Sequence, residues 1–240
     1  MIYISVNTEF FTKTGTFHME INTENQDYFL HKSNDQFEII ALADGVSACA
    51  NSKTGARIAC EAVMNVFLEC GFMLFDYPFH KISFMVFKEV TNQLKKVSEI
   101  KGDEVDSFAS TLTFAVFDKK TNRLLTFQLG DSNLYLLSDS GCKSMVNQKK
   151  LVPSFTVYGE ADEKAVMNMY TADELNGVLI CSDGAWKEFY EHTVFNSTLQ
   201  EALKSSDFSA LQHFLESKEC ADDCSYILMN FNKQNSRNIA

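Results

Sequence analysis

Asp44 and Asp183 each close a short apolar run and each precede a glycine, in Phe37-Glu38-Ile39-Ile40-Ala41-Leu42-Ala43-Asp44-Gly45 and Gly177-Val178-Leu179-Ile180-Cys181-Ser182-Asp183-Gly184. Apolar runs of this length read as buried strands, which sets each carboxylate where a sheet meets solvent. A glycine there lets the chain turn sharply and brings a bare carbonyl close to whatever the acid holds. A third acidic element, Asp222-Asp223, lies just before the apolar run Tyr226-Ile227-Leu228-Met229, and Gly130-Asp131-Ser132 interrupts another strand pattern. Taken singly, Asp-Gly after a strand is a turn signal. Several such acids from distant segments point to a carboxylate metal site. Magnesium and manganese take carboxylate, carbonyl and water oxygens, and carboxylates gathered without a cation repel one another and raise each other's pKa.

Other chemistries find less support. His18, His31, His80, His192 and His213 show no HxxxH spacing and read as structural or solvated. Ser182 is adjacent to Asp183 but lies outside any Gly-x-Ser-x-Gly elbow, and the chain has no P-loop. The seven cysteines include no CxxC pair. Cys60, Cys70 and Cys181 fall within apolar runs, where a thiol acts as a small hydrophobe, and Cys220 and Cys224 lack the matching Cys or His of a zinc site. Lys149-Lys150 reads as solvated surface, and Phe84 and Phe87 as core.

The elements that must position the acids emerge from periodicity. Ile2–Val6, Asp27–Leu30 and Phe37–Leu42 read as strands, with Asn34-Asp35 turning between the last two. Ala59, Ala62, Val63, Val66, Phe67 and Cys70 recur at spacings of three and four, a helix expected to stop at Gly71. Pro78 opens a second helix with Ile82, Met85, Val86, Val90, Leu94 and Val97 inward. Beyond the polar loop 101–106 the period becomes two. Thr111–Phe117, Leu124–Leu129 and Leu134–Leu137, with turns at 118–122 and 139–141, predict a three-stranded antiparallel meander. Cys142–Tyr170 is less regular and reads as a surface flap. Strand Val178–Cys181, a short helix from Trp186, a helix capped by Asp207 and carrying Phe208, Leu211, Phe214 and Leu215, and strand Tyr226–Phe231 complete the series. Asn232–Ala240 is a polar tail expected to fray.

With 240 residues, 45% of them hydrophobic, and two prolines, one domain spanning 1–240 is expected. The order of elements predicts an α+β fold: two antiparallel sheets packed as a sandwich with helices on the outer faces. A net charge of −11 disfavours nucleic acid and anionic membranes as partners. The start, Met1-Ile2-Tyr3-Ile4-Ser5-Val6, lacks a basic region and a long apolar core, and no run reaches the ~20 residues of a membrane span. The cysteine usage suits a reducing compartment. A cytoplasmic monomer is the expectation.

Asn25-Gln26-Asp27, Ala43-Asp44-Gly45-Val46-Ser47, Gly130-Asp131-Ser132-Asn133, Cys181-Ser182-Asp183-Gly184-Ala185-Trp186 and Asp222-Asp223-Cys224-Ser225 resemble, in order, the successive motifs of the metal-dependent serine/threonine protein phosphatases of type 2C, in a compact bacterial-like form. The resemblance runs from about Asn25 to Met229 and implies a β-sandwich flanked by helices, in αββα layers. It implies that Asp44 bridges two magnesium or manganese ions, with the Gly45 carbonyl on one, and that Asp183 and Asp222 hold the other. Asp27 would act through metal-bound water, and Asp131 in a weaker third site. Asp44 and Asp183 would be the catalytic acids, a metal-activated water would attack phosphorus in line, and a phosphoprotein would be the substrate.

The chain departs from that pattern at four places. The family's phosphate-gripping arginine, five residues before Asp27, is Asn22, and the acid before Asp27 is Gln26. A histidine that some members carry after Asp-Gly is Val46, and an aspartate after the tryptophan is Lys187. No phosphate-binding residue is therefore assigned, although Arg57 or a lysine could replace the cation. These departures support an alternative from another class, a catalytically weak relative that binds phosphoproteins or a regulatory partner.

Overall fold

The computed structural model describes residues 2–145, 156–157, 164–191, 194–205 and 208–235. The chain begins with β1 (Ile2–Lys13), a short helix α1 (Thr16–Glu20), β2 (Tyr28–Ser33) and β3 (Phe37–Ala43). Two long helices come next, α2 (Ser52–Leu74) and α3 (Phe79–Lys101), and then β4 (Leu112–Asp118), β5 (Arg123–Leu129), β6 (Asn133–Ser138) and β7 (Gly141–Ser144). The remainder holds β8 (Val166–Thr171), β9 (Gly177–Cys181), α4 (Asp183–Trp186), a small ribbon of β10 (Tyr190–Glu191) and β11 (Val194–Phe195), α5 (Ser197–Ser205), α6 (Phe208–Glu216) and β12 (Cys224–Asn235). One antiparallel sheet has the order β2-β3-β4-β5-β8 and the other β1-β12-β9-β6-β7.

Strand alternation sorts side chains into three apolar layers. From β3 and β4, Ile39, Ala41, Leu112, Phe114 and Val116 face α2 and α3, while Ile40, Leu42, Ala115 and Phe117 face the second sheet. There they meet Leu134, Leu136, Val178, Ile180, Ile227 and Met229. The outer face of the second sheet, with Tyr135, Leu179, Tyr226 and Leu228, packs on Leu199, Leu203, Leu211 and Leu215 of α5 and α6. The sandwich with helices on both outer faces is thus present. Both faces of β3 and β4 are buried, which explains why their sequences read as near-continuous apolar runs. Among the described residues no helix is long and apolar enough to cross a membrane.

Five local expectations need correction. Phe84, expected in the core, is exposed on α3. The meander does not form: β4 and β5 pair, but β6 crosses at 130–132 into the opposite sheet, where it lies between β7 and β9. Period-two patterning gives a strand and its inward face but not its neighbour, and both sheets present apolar inner faces here. Gly71 does not end its helix, which continues to Leu74. A Cβ at Gly71 would lie 2.4 Å from the Phe37 ring, so glycine admits that ring and its stacking on Phe75; in exchange the helix forgoes about 1 kcal/mol of propensity. The helix expected from Trp186 starts at Asp183. The segment expected to fray is strand through Asn235, with Asn232–Asn235 paired to Ser5–Ile2; 236–240 lie outside the described residues. So do Asp207 and most of the flap expected at 142–170, whose described ends form β7 and β8.

Candidate metal centre

Antiparallel register carries the acids to one end of the sandwich. Tyr28 pairs with Ala43, so Asp27 before β2 and Asp44 after β3 are neighbours at one sheet end. In the other sheet Cys181 pairs with both Asn133 and Tyr226, which brings Asp131, Asp183 and Asp222 to the corresponding end. The two ends are tied together. The Thr111 N–H donates to the Asp44 carbonyl at 2.8 Å, the Asp44 N–H donates to Thr111 Oγ1 at 2.9 Å, and Thr111 Oγ1 lies 3.1 Å from Ser132 Oγ at the entry to β6. Trp186 Nε1–H donates to the Asp131 carbonyl at 2.8 Å, fixing the crossover between β5 and β6 against α4. A Cβ at Gly184 would sit 2.3 Å from the Asp223 carbonyl, so the glycine after Asp183 lets α4 press on the backbone that carries Asp222.

The electrostatics show how crowded these groups are. Burial pushes the Asp44 carboxyl well above its ordinary value, and the charges of Asp27, Asp183, Asp131 and Asp222 add to the shift. Asp131 is raised by burial and then by Asp183. Asp27 is 7% exposed and also raised well above its usual value, chiefly by burial, with Asp223 and Asp183 contributing. The Ser225 and Ser182 hydroxyls oppose that rise; Ser182 Oγ–H donates to the Asp223 carbonyl at 3.1 Å, and Ser225 Oγ lies 2.9 Å from Thr12 Oγ1. Both Asp27 oxygens, Asp183 Oδ1 and Gln26 Oε1 are buried without a hydrogen-bond partner among the described residues. Unpaired buried carboxylate oxygens call for a cation or a proton. An all-oxygen donor set of this kind fits Mg2+ or Mn2+.

Two features escaped the sequence. The first is a clamp. Asp223 is 2% exposed and accepts the Gly15 N–H at 2.9 Å and the Gln26 N–H at 2.6 Å, with His18 Nδ1 2.8 Å from its Oδ2. The His18 ring nitrogen lies close to Asp223 Oδ2 without the alignment of a hydrogen bond. His18, Asp222 and Asp223 offer ligand atoms within 4.8 Å of one another. Asp223 is already occupied by two backbone donors, however, and so serves to tie the segment before β2 to the segment before β12. Asp223→Ala is expected to cost about 2–5 kcal/mol, because two buried backbone donors lose their acceptor at ~1–3 kcal/mol each. Urea unfolding of the metal-free protein measures that loss.

The second feature is Lys187. Its Nζ donates to Asp183 Oδ2 at 2.5 Å, leaving Oδ1 unpaired. Burial alone would lower the lysine pKa, but the bond to Asp183 and the charges of Asp183, Asp131 and Asp222 raise it. The i,i+4 spacing of Asp183 and Lys187 was the available signal. Arg57, the other candidate cation, is held by both carboxylate oxygens of Glu61 on its own helix. Asn22 has φ 53° and closes α1: its N–H donates to the Met19 carbonyl and the Thr23 N–H to the His18 carbonyl. Asparagine suits that left-handed cap position. A cavity of about 390 Å³ lined by Phe17, Gly184, Lys187, Glu188, Ala221 and Asp222 adjoins the acids.

A family profile described as protein phosphatase 2C matches residues 14–217. Among solved structures, a bacterial serine phosphatase superposes with TM-score 0.70 at 12% identity, covering 96% of this chain and 100% of that one. The serine/threonine phosphatase Stp1 from Staphylococcus aureus gives TM-score 0.67 at 13% identity, covering 95% and 96%. RsbX, solved with magnesium, gives 0.61 at 15% identity, covering 97% and 100%. At these identities the likeness is one of fold. A search of curated protein sequences finds no match.

Proposed function

The chain belongs to the protein phosphatase 2C family, and from that premise we propose that it hydrolyses phosphoserine and phosphothreonine in proteins with the help of divalent metal. The observation that carries this reading is the group of buried, unpartnered carboxylate oxygens on Asp27 and Asp183 beside Asp44. A pure scaffold has no physical use for such a cluster, because every ionised member destabilises the others. In this reading Asp44, the Gly45 carbonyl, Asp183 and Asp222 would hold two Mg2+ or Mn2+ ions, with Asp27 nearby. Such ions would supply an acidified water and charge neutralisation at the phosphoryl oxygens. The chain's own contribution is orientation. Thr111 fixes the backbone of Asp44, Lys187 fixes one oxygen of Asp183, and the Asp223 clamp holds the segments bearing Asp27 and Asp222. The net charge of −11 suits a partner that is neither nucleic acid nor anionic membrane, and we place the protein in the cytoplasm as a monomer.

Asn22 favours the second reading, a regulatory phosphatase-like protein, because its backbone is committed to the α1 cap and its side chain carries no charge for a phosphate. One experiment separates the two: hydrolysis of an aryl phosphate and of a phosphothreonine peptide with Mn2+, with Mg2+ and with chelator. Metal-dependent turnover that chelator abolishes is expected. No metal-dependent turnover of either substrate would leave the regulatory reading in its place.

A further inference from the structure

We propose that the Lys187 ammonium is a built-in cation of the metal centre, held on one carboxylate oxygen of Asp183 and thereby limiting the site to two divalent ions. This rests on the metal-dependent reading given above. Two observations support it independently of metal chemistry. The first is the geometry at Asp183. One carboxylate oxygen is taken by Lys187 Nζ while the other is buried and unpartnered, so a cation already stands on one side of the group and the other side remains open to one. The second is charge. Asp27, Asp44, Asp131, Asp183 and Asp222 act on one another or on Lys187 electrostatically. The Lys187 ammonium stands among the charges of Asp183, Asp131 and Asp222, and its positive charge repels a further divalent ion at those acids. Arg57 is engaged by Glu61, but Lys187 stands at the acids and also lines the adjoining cavity.

Exchanging this charge should change the number of ions the site holds. Lys187→Asp removes the ammonium and adds a carboxylate, creating room and charge for one more divalent ion. Lys187→Met removes the ammonium without adding a ligand. The test is Mn2+ binding to chelator-stripped protein, read by calorimetric titration and by metal content after equilibrium dialysis, with circular dichroism confirming the fold. Wild type is expected to bind two ions, Lys187→Asp three, and Lys187→Met two with at most a much weaker third. Two results overturn the assignment of Lys187 and leave the phosphatase reading standing: a folded Lys187→Asp that binds no more Mn2+ than wild type, or a wild type that already binds three. A wild type that binds no Mn2+ overturns both. Because the readout is stoichiometry, a merely structural Lys187, whose loss would shift stability, does not reproduce the expected pattern.

Discussion

Asp44→Asn is expected to lower metal-dependent turnover by a factor of about 10³ or more and, in the same protein, to raise the melting temperature without metal. Asp44 is the acid on which the others converge: after burial itself, Asp27, Asp183, Asp131 and Asp222 all push its pKa upward. An amide of the same shape keeps the Asp44 N–H and carbonyl bonded to Thr111 and deletes one charge from the crowd. Relief of that repulsion should stabilise the metal-free protein by about 1 kcal/mol, the usual sign when a functional carboxylate is neutralised, or roughly 2–4 °C for a chain of this size. Glu38 provides the opposite case within the same sheet. It is 4% exposed, but Lys119, His31 and Ser33 donate to it and overcome its burial, so its pKa is lowered. Glu38→Gln should therefore lower the melting temperature and leave turnover unchanged. Thermal melts of both chelated variants beside a phosphatase assay decide the matter. Retained turnover in Asp44→Asn, or a lower melting temperature without metal, would contradict the role given to Asp44.

How much of this was legible in the sequence depends on which physical signal each residue leaves. Asp44, Asp183 and Asp222 announced themselves because an acid at the end of an apolar run is costly unless it is turned outward or paired. Antiparallel register then sets the acids of each sheet at one end, as Tyr28–Ala43 and Tyr226–Cys181 do, and Thr111 with Ser132 ties the two ends together. The αββα layering was similarly open to reading from the switch between periods of two and 3.6. What stayed hidden was every feature set by a distant partner. The crossing of β6 into the second sheet leaves no trace in a strand whose pattern suits either sheet. Gly71 has the composition of a helix stop and becomes intelligible only with the Phe37 ring against it. His18 and Asp223 meet from opposite ends of the chain. Lys187 looked like a loss, a cation where an acid is common, until its ammonium was seen on Asp183.

Without metal, the protein should melt lower at about pH 7.5 than at about pH 5.5, and saturating Mn2+ should reverse that order. Asp27, Asp44 and Asp131 have folded pKa values raised above the unfolded ones, by burial first and neighbouring acids next. A raised folded pKa means that the folded chain binds more protons. Its contribution to stability is therefore complete below the unfolded value near ~4 and is lost as pH climbs through the raised folded values. Glu38 behaves in the opposite sense. Its depressed pKa gives stability present above the unfolded value and lost only as pH falls through the folded one, so it adds the same amount at both pH values compared here. Divalent metal acts against the proton, since the ligands must be ionised to bind it, and its stabilisation grows with pH. At a hundredfold excess over its dissociation constant one ion adds about 2.7 kcal/mol, enough to exceed the repulsion it relieves. Melting curves at the two pH values, with chelator and with Mn2+, measure all four quantities. A chelated protein equally stable at both, or one that Mn2+ leaves unmoved at the higher pH, would mean that the crowded acids of this sandwich end do not form a cation site.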